Sequence, residues 1–323
     1  MAEGYAAGSK TLPNILDDIV NGLITAGGGK WKDIIEFDAG ATMWTTANKT
    51  GDNAKRALRY IVGSDPNPSE SIYLSLTITN TSRNIYPNYH AKGIEVVFSQ
   101  SWDSVNHTYP VSNQKSHVPL IIHYPSAVGT DMATCLVQYY MWVESNGFVI
   151  LMKPEPTGHS YDQSIMMVIE RSDNKEWSDS QSNFYFMGIG NIWNVMWGWD
   201  YGAGKQRGIM RPFLYTFPAD GQGTTTFNIN GYGVNHIPTP NYYAFKSQVG
   251  QGKVYYVKPI INNQANALSP IFQAELWFPW SEGVGIIDGD VIAIEGSQTK
   301  FLCKALDSPD STNRLCYAIK YVA

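Results

Sequence analysis

Charge is scarce in this chain. Of 323 residues, 16% are Asp, Glu, Lys or Arg, and the net charge is −5. A typical globular domain carries about 25% charged residues. With 43% hydrophobic residues beside that low charge, the chain is neither a solvated disordered segment nor a Glu/Lys-rich helical array. No basic run is present, and the net charge is negative. A nucleic-acid partner, which needs clustered Lys and Arg against phosphate, is therefore not expected. No apolar stretch approaches the roughly 20 residues of a membrane helix, so no membrane insertion is expected either. Residues Met1–Lys10 lack the basic and apolar regions of a signal peptide, which points to synthesis in a cytoplasm.

Cysteine is equally sparse. Cys135, Cys303 and Cys316 are too few for a disulfide framework and form no Cys-x-x-Cys pair. Buried thiols are the expectation; a Cys303–Cys316 bridge across a terminal hairpin is the alternative.

Motifs of catalysis and cofactor binding are also missing. The six histidines (His90, His107, His117, His123, His159 and His236) form no helical metal pair with an intervening Glu. Gly202–Gln206 has Gln206 where a phosphate loop needs Ser or Thr, and Gly188-Ile-Gly190 lacks the third glycine of a dinucleotide loop. There is no Gly-x-Ser-x-Gly elbow. The acids Asp103, Asp131, Glu144, Glu155, Asp200 and Asp288 lie near aromatics, as a glycan-cleaving pair would. With 28 acids in the chain, such neighbours arise without selection. No catalytic residue, no cofactor and no metal are therefore expected.

What is present is aromatic and turn-rich: 20 Tyr, 10 Trp, 29 Gly and 17 Pro. Such residues suit strands and the loops between them. One helix signal precedes the strands. Leu12, Ile15, Leu16, Ile19 and Leu23 recur at helical spacing behind Thr11 as cap, with Gly27–Gly29 ending the helix as a flexible joint. This helix either packs on its own domain or docks on a neighbouring subunit. From Trp31 the period becomes that of strands. Ser71–Asn80, Gly93–Ser99, Val118–His123 and Ser164–Arg171 read as strands. Thr134–Glu144 and Phe148–Lys153 flank Asn146-Gly147, a strong hairpin signal. Near the C-terminus, Val284–Ile287 with Asp290–Gly296, and Phe301–Leu306 with Leu315–Val322, read as two further hairpins. After Arg171 and a polar stretch comes an aromatic, Gly-punctuated segment, Phe184–Tyr201. Its Trp193, Trp197, Trp199 and Tyr201 point to a packed core or subunit interface, with a sugar-stacking platform as the alternative.

Several of these runs resemble structural proteins encoded among the tail and baseplate genes of tailed bacteriophages. They are Trp44–Tyr60, Ser71–Leu76, Lys92–Asp103, the meander Tyr139–Leu151 with Glu170-Arg171, and Gly289–Gly296 with Phe301–Leu306. The resemblance covers about half of the chain and lies in style and order, with no diagnostic motif; residues 172–270 carry none of it. It implies a virion component of the tail, baseplate or neck, made in the host cytoplasm. Its partners would be other virion proteins, most readily as a homo-oligomer. The alternative reading is a module that recognises a cell-surface glycan.

The fold expected is mainly β: an antiparallel, sandwich-like core with an N-terminal helix. The expected division is an N-terminal arm and attachment helix over 1–30, a β domain over 31–171 and a second β-rich region over 172–323. One continuous domain is the rival division. The assembly surfaces expected are the helix residues Leu12, Ile15, Leu16, Ile19 and Leu23, and the aromatic Trp193, Trp197, Trp199 and Tyr201.

Overall fold

The computed structural model describes residues 4–40, 55–61, 72–86, 89–99, 101–108, 114–116, 120–123, 136–155, 165–171, 184–190, 213–217, 256–257, 260–262, 268–270, 276–279, 289–293, 296, 298–305 and 316–322. In chain order the first strands are β1 (Gly4–Thr11), β2 (Trp31–Asp33), β3 (Lys55–Tyr60), β4 (Ile72–Tyr86), β5 (Tyr89–Ser99), β6 (Gln114–Ser116) and β7 (Leu120–His123). Next come β8 (Leu136–Glu144), β9 (Gly147–Glu155), β10 (Ile165–Arg171), β11 (Phe184–Gly190) and β12 (Phe213–Phe217). The last are β13 (Tyr256–Val257), β14 (Ile260–Asn262), β15 (Leu268–Pro270), β16 (Leu276–Pro279), β17 (Val291–Ala293), β18 (Lys300–Ala305) and β19 (Cys316–Tyr321). The helices are α1 (Leu12–Ala26) and α2 (Ile34–Phe37).

All strand pairs are antiparallel. Sheet A runs β1-β8-β9-β10-β11-β12, and sheet B runs β2-β3-β4-β5-β6 with β7 also on β5. Sheet C runs β13-β16-β19-β18-β17, and β14 pairs β15. The chain is thus mainly antiparallel β with an N-terminal helix, as its strand-period and aromatic content dictate.

Helix α1 lies between sheets A and B. Its Leu12, Ile15, Leu16, Ile19, Val20 and Leu23 are 0% exposed. They share one core with Leu58, Tyr60, Leu74, Leu76 and Ile94 of sheet B and with Val137, Tyr139, Met141, Val143 and Ile150 of sheet A. Burying six aliphatic side chains contributes on the order of 10 kcal/mol of gross hydrophobic stabilisation, before chain entropy is subtracted. Gly22 permits the close approach to β8, because a Cβ there would lie 3.0 Å from Val143 Cγ2.

The adjacent acids of α1 each hold one sheet. Asp17 Oδ1 accepts from Arg56 Nη1 on β3 at 2.6 Å, and Arg56 Nη2 also donates to Asp33 Oδ2 at 2.7 Å. Asp18 Oδ2 accepts from Tyr139 Oη on β8 at 2.6 Å and from Lys10 Nζ on β1 at 2.7 Å. One helical step of about 100° turns the second acid toward the other sheet.

Several features were not legible in the sequence. Residues 4–11 form β1, paired to β8 from Gly4↔Val143 to Thr11↔Leu136. Their small, polar residues carry little of the alternation that marks a strand, and the partner β8 supplies the burial. Gly27–Gly29 are an ordered turn rather than a flexible joint. Gly28 and Gly29 take φ of +56° and +89°, and Lys30 N donates to Gly27 O at 3.0 Å. A Cβ at Gly27 would come within 2.5 Å of the Trp31 ring, whose Nε1 donates to Ser145 O at 3.0 Å. The boundary expected at 171/172 is crossed by sheet A, since β10 and β11 are paired from Ile165↔Gly190 to Arg171↔Phe184. Likewise α1 shares its core with residues of the 31–171 segment. In the β8–β9 hairpin Glu144 pairs Gly147, so Ser145 and Asn146 are the turn and Gly147 opens the return strand.

At the C-terminus β18 and β19 pair as the sequence implies, with Ala305↔Cys316 and Cys303↔Ala318. Cys303 is a buried thiol. The other partner of β18 is β17, whose ladder is extended by Gly289 N→Cys303 O and Cys303 N→Asp290 O, both 2.8 Å. Residues 284–288 lie outside the described residues.

Candidate functional surface

The sequence-derived surface residues divide cleanly. Leu12, Ile15, Leu16, Ile19 and Leu23 all sit in the chain's own core, which leaves none of them on the surface. Trp193, Trp197, Trp199 and Tyr201 lie outside the described residues, as do Asp131, Asp200, Asp288 and the Gly202–Gln206 stretch. Of the acids considered for catalysis, Glu144 accepts from Trp142 Nε1 at 2.9 Å and Asp103 is consumed within its own turn. Among the described residues no group of three or more His, Cys, Asp and Glu is placed to hold a metal ion.

A first local arrangement surrounds Asp38, the residue closing α2. Asp33 caps that short helix, accepting from Ile34 N at 2.7 Å, and Glu36 Oε1 accepts from Asp33 N at 3.2 Å. Asp38 is only 5% exposed. Its Oδ2 accepts from Trp102 Nε1 at 2.8 Å, and His107 Nδ1 lies 2.9 Å from Oδ2 and 3.1 Å from Oδ1. Burial pushes the carboxyl up, but the Trp102 and His107 hydrogen bonds and the His107 charge outweigh it and hold it below the usual carboxylate range. Phe37 packs edge-on against Trp102 with centroids 5.4 Å apart, and Tyr73 stacks on Trp102 at 5.9 Å.

Those contacts secure the base of a turn, Asp103–Thr108. The turn is closed by Asp103 N→Thr108 O at 2.6 Å and Thr108 N→Asp103 O at 3.0 Å. Asp103 Oδ1 accepts from Val105 N (2.9 Å) and Asn106 N (3.1 Å), and Oδ2 accepts from Asn106 Nδ2 (2.7 Å). His107 adopts φ of +51°, a conformation uncommon outside glycine, and its tie to Asp38 holds it there. At the tip, Val105 is 84% exposed. The turn thus presents an apolar side chain on a rigid, internally hydrogen-bonded frame.

A second arrangement lies on the outer face of sheet A, where Tyr140 and Trp142 of β8 alternate with the core-facing residues. Lys304 Nζ stands 4.4 Å from the Tyr140 ring centroid and Lys320 Nζ 4.5 Å from that of Trp142. Tyr5 of β1 meets Tyr321 of β19 edge to face at 5.1 Å. Strands β1 and β19 thereby meet across sheets A and C.

Sequence reasoning missed both arrangements. Asp38 and His107 are 69 positions apart, and no spacing rule links them. The Trp102-Asp103 pair inside a Ser- and Asn-rich stretch was the one local signal for the turn. No family model matches the chain, and no curated protein matches it.

Proposed function

We propose that the chain is a structural component of a phage virion, of the tail or baseplate region, acting through protein–protein contacts rather than catalysis. The observation that carries this reading is the Asp103–Thr108 turn, which exposes Val105 at 84% on a frame closed by the hydrogen bonds of Asp103. A pre-ordered apolar tip loses little conformational entropy on docking, which is what an assembly contact requires. Low charge and abundant Tyr and Trp fit the same role, since interface centres are depleted of charge and enriched in aromatics. The resemblance of the strand runs to phage tail proteins supplies the setting.

The test is the composition of particles. Particles are purified from cells carrying the intact gene cluster, and their peptides are identified by mass spectrometry. Recovery of the chain alongside sheath, tube or baseplate proteins supports the reading; its confinement to the soluble fraction overturns it. Val105→Asp is expected to lower incorporation about tenfold, which a loss of about 1.4 kcal/mol would produce. Stability of the free chain should stay within about 0.5 kcal/mol, because the residue buries almost nothing.

A further inference from the structure

Strand β1 is an edge of sheet A: among the described residues it pairs with β8 and with no other strand. The pairing runs from Gly4↔Val143 to Thr11↔Leu136 without a register shift. On this strand Ala7, Gly8, Ser9 and Lys10 are exposed. Gly8 is the telling one, because the surface of a glycine is nearly all backbone. Alternate residues of an antiparallel strand turn their N–H and C=O groups away from the partner. The far side of β1 therefore offers peptide donors and acceptors to an incoming strand. Edge strands usually carry a proline, a bulge or an outward charge that blocks such pairing. Strand β1 has no proline and no bulge, and its one charged residue is Lys10. That charge is drawn back onto its own molecule, with Nζ 2.7 Å from Asp18 Oδ2 and 6.0 Å from the Tyr139 ring centroid.

An open edge is matched by another extended strand, and an edge without outward charge is matched by itself. Two-fold pairing of like surfaces is also the commonest symmetry of oligomers. Directly opposite residues of an antiparallel pair share a face. A two-fold pairing of β1 must therefore be centred on a residue that stands opposite its own copy, and Gly8 lies within the exposed run. With Gly8 at the centre, Ala7 stands opposite Ser9 of the second copy and Lys10 opposite Ala6. The two Lys10 residues are then four positions apart, about 13 Å along the ladder. That exceeds the screening length of about 8 Å at physiological salt, so their repulsion is weak. We infer that β1 pairs antiparallel with β1 of a second copy of this chain, joining two six-stranded A sheets into one continuous sheet. The contact is separate from the Val105 tip. A chain that dimerises but is absent from particles fails the virion reading alone, and a monomer recovered in particles fails this one alone.

Sedimentation velocity of the full chain across the micromolar range measures the association, and a dimer is expected. Ala7 lies on the exposed edge, opposite Tyr140, and diagonal to its own copy in the dimer. Ala7→Lys places two like charges roughly 7–8 Å apart and should weaken the dimer at least about tenfold. Ala7→Glu should do the same, whereas an equimolar mixture of the two variants should associate to within about threefold of the parent chain. A second readout needs no substitution. Amide exchange at Ala7 and Gly8 should slow as concentration rises through the dimer range, while amides of β9 are unchanged. A chain that stays monomeric overturns the proposal. So does a dimer that Ala7→Lys leaves intact, a mixture that associates no better than either variant alone, or exchange in β1 that is independent of concentration.

Discussion

The two faces of β8 are packed by opposite chemistries. On the inner face Val137, Tyr139, Met141 and Val143 enter the core around α1, and each is at most 3% exposed. On the outer face Tyr140 and Trp142 meet the ammonium groups of Lys304 and Lys320. The alternation is the ordinary period of a strand, yet only one side is satisfied by hydrocarbon. The inner face also contains polar links, Tyr139 to Asp18 and, across the helix, Asp17 to Arg56, each paired within hydrogen-bonding distance. What the difference teaches is that one strand is held by hydrocarbon packing on one side and by contacts between rings and ammonium groups on the other.

The largest effect should come from the inner layer. Leu16→Ala removes a fully buried side chain where α1 faces both sheets, and should cost about 3 kcal/mol through lost transfer energy plus a residual cavity. Chemical denaturation followed by far-UV circular dichroism measures it. A cost under about 1 kcal/mol would mean that the helix is not held where the core places it. Next in size is Arg56→Met. It strands Asp17 and Asp33, whose side chains are 19% and 15% exposed. Breaking a buried pair costs roughly 3–5 kcal/mol, so with this partial solvent access about 2 kcal/mol is expected. Adding Asp33→Asn should recover part of that loss, and strict additivity of the two changes would show that the ion pair contributes nothing.

Smaller effects separate the surface arrangements. The Asp38 carboxyl ionises below its ordinary value, so its contribution is present above about pH 4 and is lost as pH falls through the folded-state value. Asp38→Asn should therefore flatten the acid limb of the stability profile. It should also speed amide exchange at Val105 and Asn106, while β8 amides are unchanged. Unaltered exchange at the turn would show that Asp38 does not hold it. The smallest change is Lys320→Met on the outer face, about 0.5–1 kcal/mol for a half-exposed cation over an indole. A loss as large as that of Leu16→Ala would erase the distinction between the two faces.

Legibility followed the range of the interactions. The helix was readable because Leu12, Ile15, Leu16, Ile19 and Leu23 repeat within one segment, and the structure places it over Leu12–Ala26. The β8–β9 hairpin was readable for the same reason, down to a turn displaced by one residue. Strand β1 was not, because Ala6, Ala7, Gly8 and Ser9 lack a periodic signal and become a strand only beside Tyr139–Trp142. Nor could the chain order reveal that Phe184–Gly190 continues the sheet of Ile165–Arg171 across a polar stretch. The Asp38–His107 tie and the meeting of Tyr5 with Tyr321 join residues far apart in sequence, and composition is silent on such pairs.

By itself, then, the sequence determined the class of fold, because strand and helix periods are written residue by residue into local spacing. It also determined the scarcity of charge and the abundance of aromatic side chains. Tertiary structure alone decided which face of each element is consumed. The apolar stripe of α1 has the same pattern whether it meets a neighbour or its own sheets, and only the closure of sheets A and B around it buries it at home. A separate packing, of β18 and β19 against the other face of β8 and β1, joins residues from far apart in the chain.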